Sequence, residues 1–302
     1  MPTPSPIPDR IHILCAADRG YGPWLGVMAA SVLSIDHGLP VTFHVLSNGI
    51  SPRDQKRLAR LCEDRGVGLR IYDTQRILAA EANTFFISLH FSRTVYSRIF
   101  LDRLVDPDVS RLIYLDCDIA CVGSLRELWE TDLGDSIVAA VPDFTLTTKD
   151  GGRVSRERLG IPDEQPYYNS GMLLIDLDRW RKERVGERMK DFIVSMGDKL
   201  GWLDQDALNR VLGANIKKLA PKWNFQAGRQ WRADGSEAVI HYIGSRKPWD
   251  LDNGNPLAFH YLRAKAASPW KWTLRFPMKI RRLPNSYRKR VRKLRAKLGL
   301  PA

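Results

Sequence analysis

RLIYLDCDIACVG, residues 111–123, reads as a buried strand running into two carboxylates. Leu112, Ile113, Tyr114 and Leu115 form a short apolar run of strand formers, and Gly123 closes the segment. Asp116 and Asp118 fall where the chain leaves the sheet, and open α/β sheets bind their ligands at the carboxyl ends of strands. Two carboxylates there can hold a divalent cation, and the cation a diphosphate. D-x-D is a common tripeptide, and an Asp after a strand also serves as a turn former or helix cap, so other segments must decide. Cys117, between the two, belongs to the same ligand-facing stretch. Alternation along a strand turns its thiol away from the faces of Asp116 and Asp118, into the packing.

Outward from this strand, the preceding chain alternates. Residues 11–17 (IHILCAA), 41–47 (VTFHVLS) and 68–72 (GLRIY) read as strands. A helix starting at Pro23 and one capped by Ser51 separate them. That β-α-β-α-β order predicts a parallel sheet with right-handed crossovers. No G-x-G-x-x-G follows the first strand, so a dinucleotide cofactor is not indicated. Beyond it we expect a loop over 73–91 and a helix over 92–104 carrying Tyr96 and Arg98. Strands follow at 136–142 and 169–177, with a loop at 144–166 and a helix capped by Asp178. A helix then opens at Asp204-Gln205-Asp206, 220–236 are irregular, and 237–243 form a last strand.

The chain has 302 residues, enough for one large α/β domain. It has no run of 18 apolar residues, so a spanning helix is not expected. MPTPSPIPD lacks the basic and apolar regions of a secretory signal and reads as a disordered leader, residues 1–9. Four cysteines without a metal-knuckle spacing read as free buried thiols of a reducing cytosol. From Arg263 onward come 14 of the 47 Lys and Arg and no acidic residue, leaving 33 basic against 34 acidic side chains before it. The body is therefore near neutral and its charge gives no reason to expect a nucleic-acid partner. We divide the chain into the leader, a catalytic domain at 10–262 and a basic tail at 263–302.

Four more segments join YLDCD: CAADRGY (15–21), YNSGMLLID (168–176), LDQDALN (203–209) and HYIGSRKPW (241–249). In this order the five resemble the family 8 retaining glycosyltransferases, in particular the bacterial lipooligosaccharide α-galactosyltransferases, over about residues 10–250. The resemblance implies a GT-A, Rossmann-like fold, a UDP-hexose donor and Mn²⁺, with Mg²⁺ as the alternative. Carried over residue by residue, Asp116, Asp118 and His241 would ligate the metal. Ala16, Asp18 and Tyr21 would meet the uracil and ribose, and Gly244 and Lys247 the diphosphate. Arg98, Asn169, Asp204 and Gln205 would meet the donor sugar, with Gln205 and Asp204 in the catalytic positions. His90 and Asp143 would lie on the acceptor side. Arg19 and Gly20 depart from the family pattern beside the ribose. Each residue also has a plainer reading: Asp18 as a turn residue, Arg98 in a buried ion pair, Asp204 as a helix N-cap, His241 as a structural histidine, Lys247 as a solvated lysine.

The tail interleaves Trp270, Trp272 and Phe276 with cations. From Ser286, Tyr287, Val291, Leu294 and Leu298 share one helical face against seven Lys and Arg. That pattern suits an anionic membrane surface, although solvated tails and nucleic-acid-binding tails share it. The sequence thus implies a metal-dependent hexosyltransferase on the cytoplasmic face of the inner membrane, acting on a lipid-linked saccharide of lipopolysaccharide core type. The alternatives are a sugar-1-phosphate nucleotidylyltransferase, which would need a glycine-rich basic loop absent after the first strand, and a non-catalytic nucleotide-sugar or membrane-binding protein.

Overall fold

The computed structural model describes residues 7–81, 93–148, 150–227, 233–250 and 254–273. His90 and the tail helix expected from Ser286 lie outside them. In chain order the strands are β1 (Ile11–Asp18), β2 (Val41–Asn48), β3 (Gly68–Asp73), β4 (Arg111–Leu115), β5 (Ile119–Cys121), β6 (Val138–Pro142), β7 (Tyr168–Asp176), β8 (Ile216–Lys218), β9 (Phe225–Gln226) and β10 (Val239–His241). The helices are α1 (Gly22–Leu33), α2 (Pro52–Glu63), α3 (Gln75–Ala80), α4 (Leu101–Leu104), α5 (Arg126–Trp129), α6 (Phe144–Thr148), α7 (Asp150–Leu159), α8 (Leu177–Lys182), α9 (Val185–Met196), α10 (Asp204–Leu212) and α11 (Ala258–Ala266). A 3-10 turn at Arg93–Phe100 leads into α4.

A seven-stranded sheet runs β3-β2-β1-β4-β7-β6-β8, and β5-β10-β9 form a small second sheet. β1 is parallel to β2 and β4, and β2 to β3, as the β-α-β-α-β order predicts. β7 runs antiparallel to both β4 and β6, so β4 and β6 point the same way. The carboxyl ends of β1, β4 and β6 and the amino end of β7 therefore share one edge of the sheet. Asp18, Asp116, Asp143 and Asn169 all sit on that edge.

Strand alternation builds two cores. Ile13, Cys15 and Ala17 of β1, Ile113 and Leu115 of β4, and Met172 and Leu174 of β7 pack on one face with α1 and α2. Leu14, Leu112, Tyr114, Leu173 and Ile175 pack on the other with α9 and α10. Each fully buried aliphatic contributes about 1.5–3 kcal/mol, so a one-residue slip of β4 would be costly and would also displace Asp116. Ser51 caps α2 as expected, its hydroxyl accepting from Asp54 N.

Several expected boundaries move. The segment 144–166, expected to be a loop, contains α6 and α7, and the expected loop at 73–91 contains α3. Gly151-Gly152, which suggested a loop, lies inside α7. Asp176, not Asp178, caps α8, accepting from Arg179 N. The body also runs past 262: α11 crosses that boundary, and Trp270, 1% exposed, packs on Gly26 and donates to Asp54 Oδ1. Trp270 is thus core, and the packed body reaches at least to it. Among the described residues no helix is long and apolar enough to cross a membrane.

Candidate active site

After Leu115 the chain turns out of the sheet and returns as β5, which pairs with β10 so that His241 lies opposite Ile119. This pairing brings the far end of the sequence to the acidic pair. His241 Nε2 is 3.3 Å from Asp118 Oδ1 and 4.0 Å from Asp116 Oδ2. One ligand atom from each of the three lies within 4.8 Å of the others. Octahedral coordination with bonds of about 2.1 Å puts ligand atoms roughly 3 Å apart when adjacent and about 4.2 Å apart when opposite. The observed spacings fit one divalent cation, and mixed carboxylate and imidazole donors suit a first-row metal.

Gly171 makes room for this cluster. A Cβ there would lie 2.2 Å from His241 Cε1 and 2.8 Å from Asp116 Oδ2. Sequence reading passed over Gly171, although glycine inside a strand is the mark of close approach. Asp116 is held from its other side: Oδ1 accepts from Arg98 at 2.9 Å and from Tyr114 Oη at 2.8 Å. Burial alone would push the Asp118 carboxyl up, but Lys247 and then His241 outweigh it and hold it well below the usual range. Lys247 Nζ bonds Asp118 Oδ2 and, at 3.1 Å, Tyr242 O. It is half-buried and aimed at the acidic pair, not a solvated lysine. Gly244, at φ +86°, makes the exposed turn before it.

Arg98 joins the metal side to the sugar side. It donates to Ser170 O at 2.6 Å, and its Nε lies 3.0 Å from Asp204 Oδ2. Both side chains are buried. Asp204 is therefore not a helix cap; that position belongs to Leu203, and Asp204 faces Arg98 from the first turn of α10. Burial, only partly opposed by Arg98, pushes its carboxyl up to about 6. Leu203 has φ +44°, a strained conformation costing about 1–3 kcal/mol that its burial holds in place. This turn directs Asp204 and Gln205 inward.

Gln205, Asn169 and Asp143 form one buried network. Gln205 Oε1 accepts from Ser170 N at 3.0 Å and Asn169 Nδ2 at 3.3 Å, while its Nε2 lies 3.3 Å from Asp143 Oδ2. Asn169 also donates to Asp143 Oδ2 at 3.1 Å. Asp143, read as an acceptor-side residue, thus bonds directly to two residues read as donor-side. Asn224, to which the sequence assigned no role, bridges His241 and Asn169.

On the first strand, Asp18 Oδ1 accepts from Gly20 N and Tyr21 N at 2.8 and 3.0 Å, forming the turn into α1. Tyr21 packs edge-on against Trp249, 6.0 Å between centroids, and Trp249 stacks on Trp24. The 15–21 and 241–249 segments therefore meet. Cys117 Sγ lies 3.5 Å from Cys15 Sγ and 3.3 Å from Ala16 O, packed inward as expected, although from the turn between β4 and β5 and not from strand alternation.

A mixed sheet with an acidic pair that could hold a metal at its β4 end, flanked by a buried polar network, is the arrangement expected of a GT-A glycosyltransferase. The sequence pattern of glycosyl transferase family 8 matches residues 12–253, and the chain belongs to that family. General stress protein A of Bacillus subtilis (strain 168) is 30% identical over 281 residues, covering 87% of this chain and 95% of that protein. The lipopolysaccharide 1,3-galactosyltransferase of Salmonella typhimurium (strain LT2) is 26% identical over 275 residues, covering 87% and 80%. The crystal structure of the galactosyltransferase LgtC in complex with donor and acceptor sugar analogues has the same fold, with a TM-score of 0.76 at 27% identity over 92% of this chain and 99% of that one.

Proposed function

We propose that the protein is a retaining hexosyltransferase that moves glucose or galactose from a UDP-sugar to a lipopolysaccharide-core saccharide. The observation that carries this reading is the Asp116–Asp118–His241 cluster, tied through Arg98 to Asp204 and through Asn224 to the Gln205–Asn169–Asp143 network. Relatives named as lipopolysaccharide galactosyl- and glucosyltransferases support the substrate class. A bound Mn²⁺ or Mg²⁺ would neutralise the diphosphate as it leaves, held by Asp116, Asp118 and His241; the mixed donor set favours Mn²⁺.

The chain's own groups divide the remaining work. Lys247 brings a point charge to the diphosphate, and Gly244 lets backbone approach it. Asp18, Tyr21 and Ala16 border the nucleoside end. Arg98, Asp204 and Asn169 orient the hexose. Gln205, clamped by Ser170 N, presents an amide, which is a poor nucleophile. A covalent glycosyl-enzyme of the paired-carboxylate kind is therefore disfavoured, and the acceptor hydroxyl attacks from the leaving-group side, its proton passing to the leaving phosphate. Trapping a sugar on any side chain would overturn this mechanism. The family resemblance assigns Asp143 and, from the sequence, His90 to the acceptor side.

The acceptor is lipid-linked, and the protein works at the cytoplasmic face of the inner membrane. Exposed Phe259, Leu262 and Trp272, beside Arg263, Lys265 and Lys271, support this reading and lead into the basic tail. The decisive experiment measures UDP release from a panel of UDP-sugars with Mn²⁺ or chelator, for wild type and Asp118→Ala. Metal-dependent release from one donor, lost in the variant, is expected. Failure to bind UDP would refute the assignment. Flotation with anionic liposomes, full chain against residues 1–273, tests the membrane surface: unchanged binding after truncation would remove the tail from it.

A further inference from the structure

Asn224 lies just before β9, 1% exposed, between a metal ligand and the sugar network. One end of its amide is 3.0 Å from His241 Nδ1 and the other 2.9 Å from Asn169. The direction of these bonds follows from a single backbone group. Gly171 N–H, 3.0 Å from the Asn169 side chain, can only donate, so the Asn169 atom it meets is the carbonyl oxygen. That oxygen carries no proton, so Asn224 must present its NH₂ to it. The carbonyl of Asn224 then faces His241, and a carbonyl only accepts. Nδ1 therefore carries a proton, and in the tautomer this leaves for a neutral ring the lone pair is on Nε2, the nitrogen that faces Asp118 and Asp116. At the other end Asn169 Nδ2 donates to Asp143 and to Gln205 Oε1, and Ser170 N–H fixes the orientation of Gln205 in the same way.

We propose that Asn224 is a positioning residue with two separable tasks: it sets the tautomer and angle of His241 as a metal ligand, and it ties that ligand to the sugar-binding amide of Asn169. This rests on the reading of Asp116, Asp118 and His241 as a metal site. Metal-bound histidines depend on the partner of their second nitrogen, and removing such a partner typically costs about 10–100-fold in metal affinity or activity. The two ends of one amide make the tasks distinguishable. Asn224→Ala removes both bonds. Asn224→Asp keeps an acceptor for His241 Nδ1–H but sets a carboxylate oxygen against Asn169 Oδ1, where two acceptors repel.

The experiment titrates Mn²⁺ into the full-length protein without nucleotide, by calorimetry, and separately measures UDP release at saturating Mn²⁺. For Asn224→Ala the expected result is Mn²⁺ affinity lower by about 10–100-fold. For Asn224→Asp the expected result is wild-type Mn²⁺ affinity with a reduced kcat, because only the sugar end is disturbed. Wild-type affinity in Asn224→Ala would overturn the proposal. So would equal weakening in both variants, which would trace the loss to packing and not to the hydrogen bond. Should Asn224→Ala fail to fold, Asn224→Asp carries the test alone: retained Mn²⁺ binding with lowered kcat supports the proposal, and lost binding overturns it. A wild-type protein that binds neither Mn²⁺ nor Mg²⁺ would instead refute the metal site itself, and this inference with it.

Discussion

Gly171→Ala adds one methyl group at the most crowded point of the site. The glycine is not there for an unusual backbone angle. Its carbonyl accepts from Asp116 N at 2.8 Å, and its missing side chain leaves space for His241 and Asp116. An added Cβ would sit 2.2 Å from His241 Cε1, where ordinary contact begins at 3.4 Å, so the ring must retreat by 1.2 Å. Measured to Asp116 Oδ2 at 2.8 Å, the required shift is 0.6 Å. Neither group is free to yield: Asn224 holds His241 Nδ1, while Arg98 and Tyr114 hold Asp116 Oδ1. Overpacking of this kind costs about 1–3 kcal/mol. In a domain of this size each kcal/mol lowers Tm by roughly 2–4 °C. A ligand displaced by about 1 Å costs on the order of 10²-fold in turnover. Thermal melting, Mn²⁺ calorimetry and UDP release read the three effects separately. The expected variant is folded, a few degrees less stable, and deficient in both metal affinity and turnover. A variant with wild-type metal affinity and turnover would refute the claim that this glycine exists to seat the metal ligands.

Lys247→Ala should separate metal binding from catalysis. The amine now competes for Asp118 Oδ2, so Mn²⁺ affinity without nucleotide should rise, while turnover falls by about 10²–10³-fold for want of charge on the diphosphate. Asp204, pushed up to about 6 from 3.8, binds its proton more tightly folded than unfolded. Its contribution to stability is therefore full below about pH 4 and lost as pH rises through 6. Denaturant unfolding at pH 4, 5 and 6 should show this loss in wild type and not in Asp204→Asn. Trp270→Ala should cost about 3–5 kcal/mol in unfolding free energy. A chain ending at 273 should melt as the full protein does, whereas one ending at 262 should not.

Most of the sheet, though not its edge strand β8, was legible in the sequence because strand alternation and helix punctuation are local signals. IHILCAA, VTFHVLS and GLRIY each show their strand within a few residues, and Ser51 caps the helix that its own neighbours form. The D-x-D pair was legible for the same reason, since both carboxylates belong to one short segment. The helices α3, α6 and α7 were not: α3 and α6 are only six and five residues long, too short to show a helical period, and α7 has Gly151-Gly152 in its first turn, a loop signal in sequence. Asp204 read equally well as a cap, and only the approach of Arg98, more than a hundred residues earlier in the chain, assigns it otherwise.

By itself the sequence determined a β-α-β-α-β start, an acidic strand end and five segments in family order. Only the tertiary structure decided what Gly171, Asn224, Leu203 and Trp270 do. Their roles depend on groups distant in sequence: a ring from β10 over a glycine of β7, an amide between two strands, a turn strained by its surroundings, an indole against α1. A residue's own type and spacing carry no record of such partners, because hydrogen-bond direction and steric contact are set by distance in space and not along the chain.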